Sequence, residues 1–172
     1  MTNVWLFKRE MLYKHMFRGF SQTYVQGKCS KLKSPNKKLD PNYSGDYDLW
    51  LDGIRIEVKA SRAVDSDSEE PLYMKALSRK TDKNFLMNFQ QLKPQCCDVF
   101  IWVAVYRDQI VLWVMSSKEV LENPSYSKGQ HRGNKGNEGQ LHIRQDNVAQ
   151  LEKYELQGDN LEQAIRDAAK RN

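Results

Sequence analysis

Residues 46–61 read DYDLWLDGIRIEVKAS and form the most regular segment of the 172-residue chain. From Leu49 to Val58, aliphatic residues alternate with polar ones on both sides of the dipeptide Asp52-Gly53. Alternation of this kind is typical of a strand with one buried face, and Asp-Gly between two such runs is a strong signal for a two-residue turn. The segment therefore predicts a β-hairpin.

The turn determines which polar residues face each other. With a two-residue turn, Asp48 lies opposite Glu57 and Asp46 lies opposite Lys59. Side chains alternate across a strand, so these four residues share one face and the aliphatic residues share the other. Carboxylates directly opposite one another repel unless a cation lies between them. Two carboxylates offer the hard oxygen ligands that suit Mg²⁺, so the hairpin predicts a magnesium site.

The remaining segments mix helix and strand. Two nearly continuous apolar runs, 99–106 and 109–115, predict central strands of a sheet covered on both faces. The stretch 123–140, which contains four glycines and almost no apolar residue, predicts a loop. The other predicted elements are a long helix over 3–26, a helix over 84–96 that Pro94 ends or kinks, a helical turn over 117–121, a short strand over 141–144 and a helix over 160–170.

Composition excludes several classes of protein. No apolar run approaches the roughly 18 residues of a membrane-spanning helix, and the first residues lack the cleavage pattern of a signal peptide. The three cysteines, Cys29, Cys96 and Cys97, show neither metal-ligand spacing nor the even number of a disulfide framework. These features predict a cytoplasmic protein with reduced thiols, without a membrane partner and without a small-molecule cofactor.

Positive charge is concentrated at the start of the chain. The formal net charge is +5, yet residues 1–38 carry nine Lys or Arg against one acid, and residues 39–172 carry 18 against 21. A basic segment of this kind matches the electrostatic footprint of a nucleic-acid backbone, and a solvated lysine-rich loop is the alternative. The lysines expected to contact DNA in this segment are Lys28, Lys31, Lys33, Lys37 and Lys38.

The polar residues of the hairpin resemble a known signature. Asp48, followed on the next strand by Glu57-Val58-Lys59, is similar to the active-site motif of the PD-(D/E)XK nuclease superfamily. Residues 88–94, NFQQLKP, followed by Asp98-Val99-Phe100, resemble a segment of small type II restriction endonucleases. The resemblance implies an α/β fold, with a single-domain restriction-endonuclease-like core over residues 1–172 and a central mixed β-sheet flanked by helices.

The resemblance also implies roles for individual residues of the hairpin. Asp48 and Glu57 would bind the metal, and the backbone carbonyl of Val58 would assist them. Lys59 would orient or help deprotonate the attacking water and offset the charge of the phosphate. These four residues are the predicted catalytic centre.

Three further positions are weaker candidates. The proline that often precedes the first acid is absent, which keeps Asp46 as a second candidate for its role. Glu10 on the first helix would be an additional catalytic acid, or simply the i, i+4 partner of Lys14. Gln91, or its neighbour Gln90, would order a water or contact the scissile backbone, and a solvated glutamine is the alternative.

Together these expectations favour a Mg²⁺-dependent type II restriction endonuclease that hydrolyses a palindromic double-stranded DNA site as a homodimer, with Mn²⁺ able to replace Mg²⁺. The basic N-terminal helix and loop (1–45) would contact the backbone, and the glycine-rich loop (123–140) would read bases, or remain an ordinary surface loop. The alternatives are a structure-selective nuclease such as a Holliday-junction resolvase, and a catalytically silent DNA-binding module. The loop residues expected to contact DNA are Lys128, His131, Arg132 and Lys135.

Overall fold

The structure is a computed structural model, and the residues it describes are 19–72, 74–129 and 138–172. Within the first of these ranges, residues 19–28 form a helix, α1, which confirms the C-terminal part of the helix predicted over 3–26. The earlier part of that prediction, including Glu10, lies outside the described residues.

The predicted hairpin is present in the predicted register. Strand β1 (Leu49–Leu51) pairs antiparallel with β2 (Ile54–Arg62). The backbone φ angle is 47° at Asp52 and 97° at Gly53. Positive φ at both central residues is the requirement of a type I′ turn, whose twist matches that of the two strands.

Strand β2 is an inner strand of a mixed four-stranded sheet, sheet A. Strand β5 (Val99–Val105) runs parallel to β2, and β6 (Ile110–Ser116) runs antiparallel to β5, giving the order β1-β2-β5-β6. Nearly every residue of β5 and β6 is buried, as predicted for strands covered on both faces. Burial of both faces extends to β6 although that strand lies at the edge of the sheet.

A second four-stranded sheet, sheet B, has only antiparallel pairs among the described residues. Its strands are β3 (Val64–Asp65), β4 (Phe85–Leu92), β7 (Tyr126–Lys128) and β8 (Gly139–Arg144). They lie in the order β3-β4-β8-β7. The strand predicted over 141–144 is confirmed as part of β8, whereas β7 falls in the stretch predicted as a loop, of which residues 130–137 lie outside the described part.

The helix predicted over 84–96 is wrong: this segment forms β4, followed by a 3₁₀ helix, η1 (Pro94–Cys96). Phe85, Met87 and Phe89 are buried at alternate positions, which is the spacing of one face of a strand. The spacing of Phe85, Phe89 and Leu92 also fits one face of a helix, and the pairing of β4 with β8 stabilises the strand.

Sheet A is covered differently on its two faces. Helices α1 and α3 (Leu161–Lys170) pack on one face, where Val25 and Ile165 are fully buried among aliphatic side chains. Sheet B packs on the other, where the ring of Phe89 meets the ring of Trp102 edge to face at a centroid distance of 5.0 Å. The mixed α/β fold with a central mixed sheet is confirmed, and sheet B occupies the flank on which a helix was expected.

The shorter helices complete the fold. Helix α2 (Ser117–Leu121) begins with a capping box between Ser116 and Glu119, and a 3₁₀ helix, η2 (Val148–Tyr154), precedes α3. The predictions of a helical turn over 117–121 and a helix over 160–170 are confirmed. Among the described residues, no helix has the length and apolar character needed to cross a membrane.

The chain passes directly from sheet A to sheet B at the end of β2. Only Ala63 separates β2 from β3, and Ala63 is fully buried. Strand β4 approaches the same region, because the backbone N–H of Asn88 donates a hydrogen bond to the Ser61 hydroxyl at 3.0 Å. The polar face of β2, which carries Glu57 and Lys59, therefore lies next to the junction of the two sheets.

Charged contacts tie helix α3 to the hairpin turn and to the basic segment. The Arg166 guanidinium donates to Asp52 at 2.6 Å and to Glu162 at 2.9 Å, and the Lys31 ammonium lies 3.0 Å from Glu162. The bond from Arg166 lowers the pKa of Asp52, and bonds from Lys31 and Arg166 lower the pKa of Glu162.

We expect the stability conferred by the Asp52 carboxylate to depend on pH. Because its pKa is lowered in the folded state, its contribution is present above about pH 4, the ordinary value for Asp, and is lost as the pH falls further. Asp52→Asn removes the charge but keeps a residue that tolerates positive φ. Because only the charge is lost, the melting temperature of the variant should lie below that of the wild type near neutral pH and converge with it in acid. Thermal unfolding across this pH range measures the difference, and a difference independent of pH would contradict a charge effect.

Candidate active site

Glu57 and Lys59 form an ion pair on the face of β2 that looks toward sheet B. The Lys59 ammonium lies 2.6 Å from Glu57 Oε1, and the exposed fractions of the two side chains are 13% and 9%. In the parallel pairing of β2 with β5, Glu57 stands beside Phe100 and Lys59 beside Trp102. The pair is thus predicted correctly as neighbours on one face, and it lies against an aromatic surface.

Burial beside this aromatic surface should strengthen the ion pair. The rings of Phe100 and Trp102 stack with an interplanar angle of 8° and a centroid distance of 5.0 Å, and both residues are fully buried. Opposite charges attract more strongly where water is excluded, whereas charges buried without a partner carry a large desolvation cost. The Glu57–Lys59 pair therefore lies at the edge of the core, where little of either side chain reaches solvent.

Asp48 lies across from this pair and forms hydrogen bonds with Ile56 and Val58, the residues on either side of Glu57. Its backbone N–H donates to the Ile56 carbonyl at 2.9 Å, and its Oδ2 accepts a bond from the Val58 N–H, also at 2.9 Å. Regular pairing of β1 with β2 ends at Leu49, one residue after Asp48 in the chain. The carboxylate therefore satisfies a donor of β2 just beyond the point where β1 stops pairing with it.

A residue of helix α1 holds the other oxygen of Asp48. Gln22 Nε2 donates to Asp48 Oδ1 at 2.5 Å across a separation of 26 residues. Gln22 was not predicted from the sequence. The available signal was its position on a helix expected to flank the sheet. In the structure it lies on the same helix as the buried residues Ser21 and Val25. Both carboxylate oxygens of Asp48 are thus positioned by hydrogen bonds.

The site offers oxygen donors of the type that Mg²⁺ prefers. Asp48 and Glu57 supply carboxylates, and the Val58 carbonyl points to the same side of β2 as the Val58 N–H that binds Asp48, because both groups of a strand residue face one neighbour. In the three described ranges, no group of three or more His, Cys, Asp or Glu residues is arranged to hold a metal. Mg²⁺ is commonly bound through only one or two carboxylates and completes its shell with waters and phosphate oxygens, so such a group is not required.

Asp46 does not face Lys59, which corrects the prediction that the two residues lie opposite each other. The residue precedes β1, and its carboxylate accepts hydrogen bonds from the Ser44 hydroxyl and from Lys93 Nζ. These two bonds lower the pKa of Asp46. The reason is geometric, since the chain turns at Gly45, where φ is +91°, and enters the hairpin only at Leu49.

The candidate glutamines lie on a strand rather than on the predicted helix. Gln91 has a φ of 57° at a β-bulge between Gln90 and Leu92, and both glutamine side chains are exposed. Bulges re-aim side chains and often occur near active sites. The catalytic role of Gln91 stays a prediction.

In the described part of the chain, the buried polar atoms without a hydrogen-bond partner are Asn88 Oδ1 and Trp102 Nε1.

The predicted DNA-contacting lysines divide into two groups. Lys28 lies 3.2 Å from Asp159, and Lys31 pairs with Glu162, so both contact the start of helix α3. The other lysines of the run are exposed and form no ion pair with the described residues; they are Lys33, Lys37 and Lys38. Lys128 at the end of β7 is exposed as well, and His131, Arg132 and Lys135 lie outside the described residues.

Comparison with known proteins supplies no family for this chain. No protein-family model matches it, and no curated protein matches it. The resemblance to the PD-(D/E)XK superfamily therefore stays a prediction that rests on the residues and their geometry.

We expect the Glu57–Lys59 pair to stabilise the fold measurably. In a double-mutant cycle with Glu57→Gln and Lys59→Met, the coupling free energy should be favourable by about 0.5–3 kcal/mol, because both side chains are mostly buried. Chemical unfolding of the four proteins measures it.

The matched control for this cycle is the exposed pair Lys170–Asp167, whose side chains are 73% and 47% exposed. Solvent screens such a pair, so its coupling should be much smaller. Equal coupling energies in the two cycles would contradict the idea that the aromatic surface strengthens the Glu57–Lys59 pair.

Proposed function

We propose that the protein is a Mg²⁺-dependent endonuclease that hydrolyses phosphodiester bonds of double-stranded DNA, with a type II restriction endonuclease as the specific assignment. The observation that carries the proposal is the nearly buried Glu57–Lys59 pair with Asp48 bound to the intervening Val58. These contacts support the proposal because they join Asp48, which directly precedes β1, to the residues of β2 that complete the predicted motif.

The charges of this cluster favour a cation-assisted reaction on a phosphate. Asp48 and Glu57 contribute two negative charges, and Lys59 contributes one positive charge. Without a cation, two carboxylates would repel a polyanionic substrate, so a module that only binds DNA has no use for them. With a divalent cation, the cluster becomes positive and attracts the substrate.

The residues of the chain have separable roles in this proposal. Asp48, Glu57 and the Val58 carbonyl would hold Mg²⁺, which would supply Lewis-acid stabilisation of the charge that develops on the phosphate. Gln22 holds the Asp48 carboxylate in position. Lys59 presents a positive charge and a proton donor beside the Glu57 carboxylate, where it would orient an attacking water.

The distribution of charge supports DNA as the substrate class rather than a small phosphoester. The first 38 residues carry a net charge of +8, and Lys37 and Lys38 are exposed without described ion-pair partners. A long polyanion engages several such lysines at once. Two-fold symmetry of a homodimer is the simplest way to cut both strands of a palindromic site, and it belongs to the proposal.

Cleavage should require a divalent cation and Lys59. We expect cleavage of linear duplex DNA with Mg²⁺ or Mn²⁺, none with excess chelator, and at most weak cleavage with Ca²⁺, which coordinates more loosely. Lys59→Met should lower the turnover rate by at least about a hundredfold while DNA affinity changes little, because the lysine acts mainly on the transition state. Gel analysis of a fully sequenced phage DNA measures cleavage and maps its sites.

Lys83→Met is the matched control for this experiment, since Lys83 lies 2.9 Å from the buried carboxylate of Asp65 in sheet B. It should retain wild-type cleavage. Full activity in excess chelator, or an active Lys59→Met enzyme, would show that the proposed chemistry is wrong. Cleavage of branched duplexes alone would favour a structure-selective nuclease.

The two groups of lysines should differ in their contribution to DNA binding. The double variant Lys37→Ala/Lys38→Ala should weaken binding and lower the salt slope, log Kd against log salt, by roughly 0.9 for each phosphate that these lysines neutralise. The double variant Lys28→Ala/Lys31→Ala should change the slope less, since these lysines already pair with Asp159 and Glu162. Fluorescence anisotropy in Ca²⁺ over a salt series measures both, and equal slopes for the two variants would contradict the division.

A further inference from the structure

Lys93 lies beside the candidate site, between two carboxylates. Its ammonium is 3.4 Å from Asp46 Oδ1 and 3.8 Å from Glu138 Oε1. Asp46 is two residues before Asp48, and Glu138 directly precedes β8. Lys93 therefore connects the segment that leads into the candidate site with the start of a strand of sheet B.

The backbone of Lys93 is fixed while its side chain remains accessible. Leu92 and Pro94 on either side are buried, and the Lys93 carbonyl accepts a hydrogen bond from the Cys96 N–H at 2.9 Å. The side chain itself is 39% exposed. The position is thus rigid at its base and open to solvent at its charged end.

The contacts of Lys93 are loose compared with those of neighbouring cations. The ion pair of Lys59 with Glu57 and that of Arg55 with Asp98 both measure 2.6 Å, so these two cations are firmly engaged. A lysine ammonium has three donors on a flexible stem and can bind a new acceptor while it keeps an old one. Of the three cations compared, all among the described residues, Lys93 is therefore best placed to bind an incoming anion.

We propose that Lys93 contacts a phosphate of the DNA backbone next to the candidate active site and positions the duplex there. The inference rests on the proposed function and adds a positioning residue to it. Asp46 and Glu138 hold the ammonium at the rim of the site before DNA arrives, and a phosphate then displaces at least one of them. A lysine that serves only to link Asp46 to Glu138 is the structural alternative.

The test compares four forms of the 172-residue chain: wild type, Lys93→Met, Asp46→Asn and the double variant. Each is titrated against a fluorescein-labelled DNA duplex in Ca²⁺ over a salt series. Lys93→Met should weaken binding several-fold and lower the salt slope by about 0.9, the value for one phosphate contact. Asp46→Asn should tighten binding several-fold, because it removes a competitor for the ammonium.

The decisive result is the double variant. If Lys93 binds the phosphate, Asp46→Asn should give no gain in affinity when Lys93 is already Met. Equal gains in both backgrounds would mean that Asp46 acts only through its charge, and would overturn the inference. Lys93→Arg keeps the charge and should keep the salt slope, while Lys83→Met, which removes an ion-paired lysine elsewhere, should leave binding unchanged.

Two further measurements separate this inference from a structural role and from the proposed function. Thermal unfolding of each variant shows whether Lys93→Met acts through stability, and a lower melting temperature with an unchanged salt slope would overturn the inference. Wild-type cleavage with normal binding by Lys93→Met would overturn the inference and leave the nuclease intact. Binding without cleavage by the wild type would refute the nuclease and still report on Lys93, and no binding at all would refute both.

Discussion

Strand β2 pairs within sheet A and leads directly into sheet B, and the rest of the structure depends on this position. Its first residues pair with β1, its central and later residues pair with β5, and after Ala63 the chain continues as β3 of sheet B. One face of β2 is packed by helices and by aliphatic side chains, so the polar residues must lie on the other face, near the junction of the sheets. Charged groups gather there because alternation along a single strand leaves them no other place.

Burying a charged group at this junction is costly unless the group has a partner. The three charged residues of the candidate site each have one. Lys59 forms an ion pair with Glu57 beside two aromatic residues of β5, and Asp48 accepts hydrogen bonds from Val58 and Gln22. Stability alone would be served as well by apolar residues of similar size, since replacing buried ion pairs in this way is often neutral or stabilising. A chain that retains three charged groups at the edge of its core therefore calls for a functional explanation, which the proposed reaction provides.

The sequence predicts the local features of this site and fails on the distant ones. The hairpin, its turn and the shared face of Glu57 and Lys59 follow from alternation and from Asp52-Gly53, all within a few residues of each other. Sheet B could not be predicted in the same way, because the apolar spacing of β4 also fits a helix and its pairing partner, β8, lies far from it along the chain. The bond from Gln22 to Asp48 is likewise long-range, and no local pattern specifies it.

The lysines show why residue type alone does not determine a role. Lys28 and Lys31 belong to the same basic run as Lys37 and Lys38, yet the former pair with acids at the start of α3 and the latter have no such partner among the described residues. Lys93 lies outside the run and carries no sequence signal of its own, but the fold brings it beside Asp46. Because salt bridges between exposed groups are weak, a phosphate can compete for a loosely held lysine at little cost. The tertiary position of each lysine, rather than the count of positive charges, therefore determines which of them is available to the proposed DNA substrate.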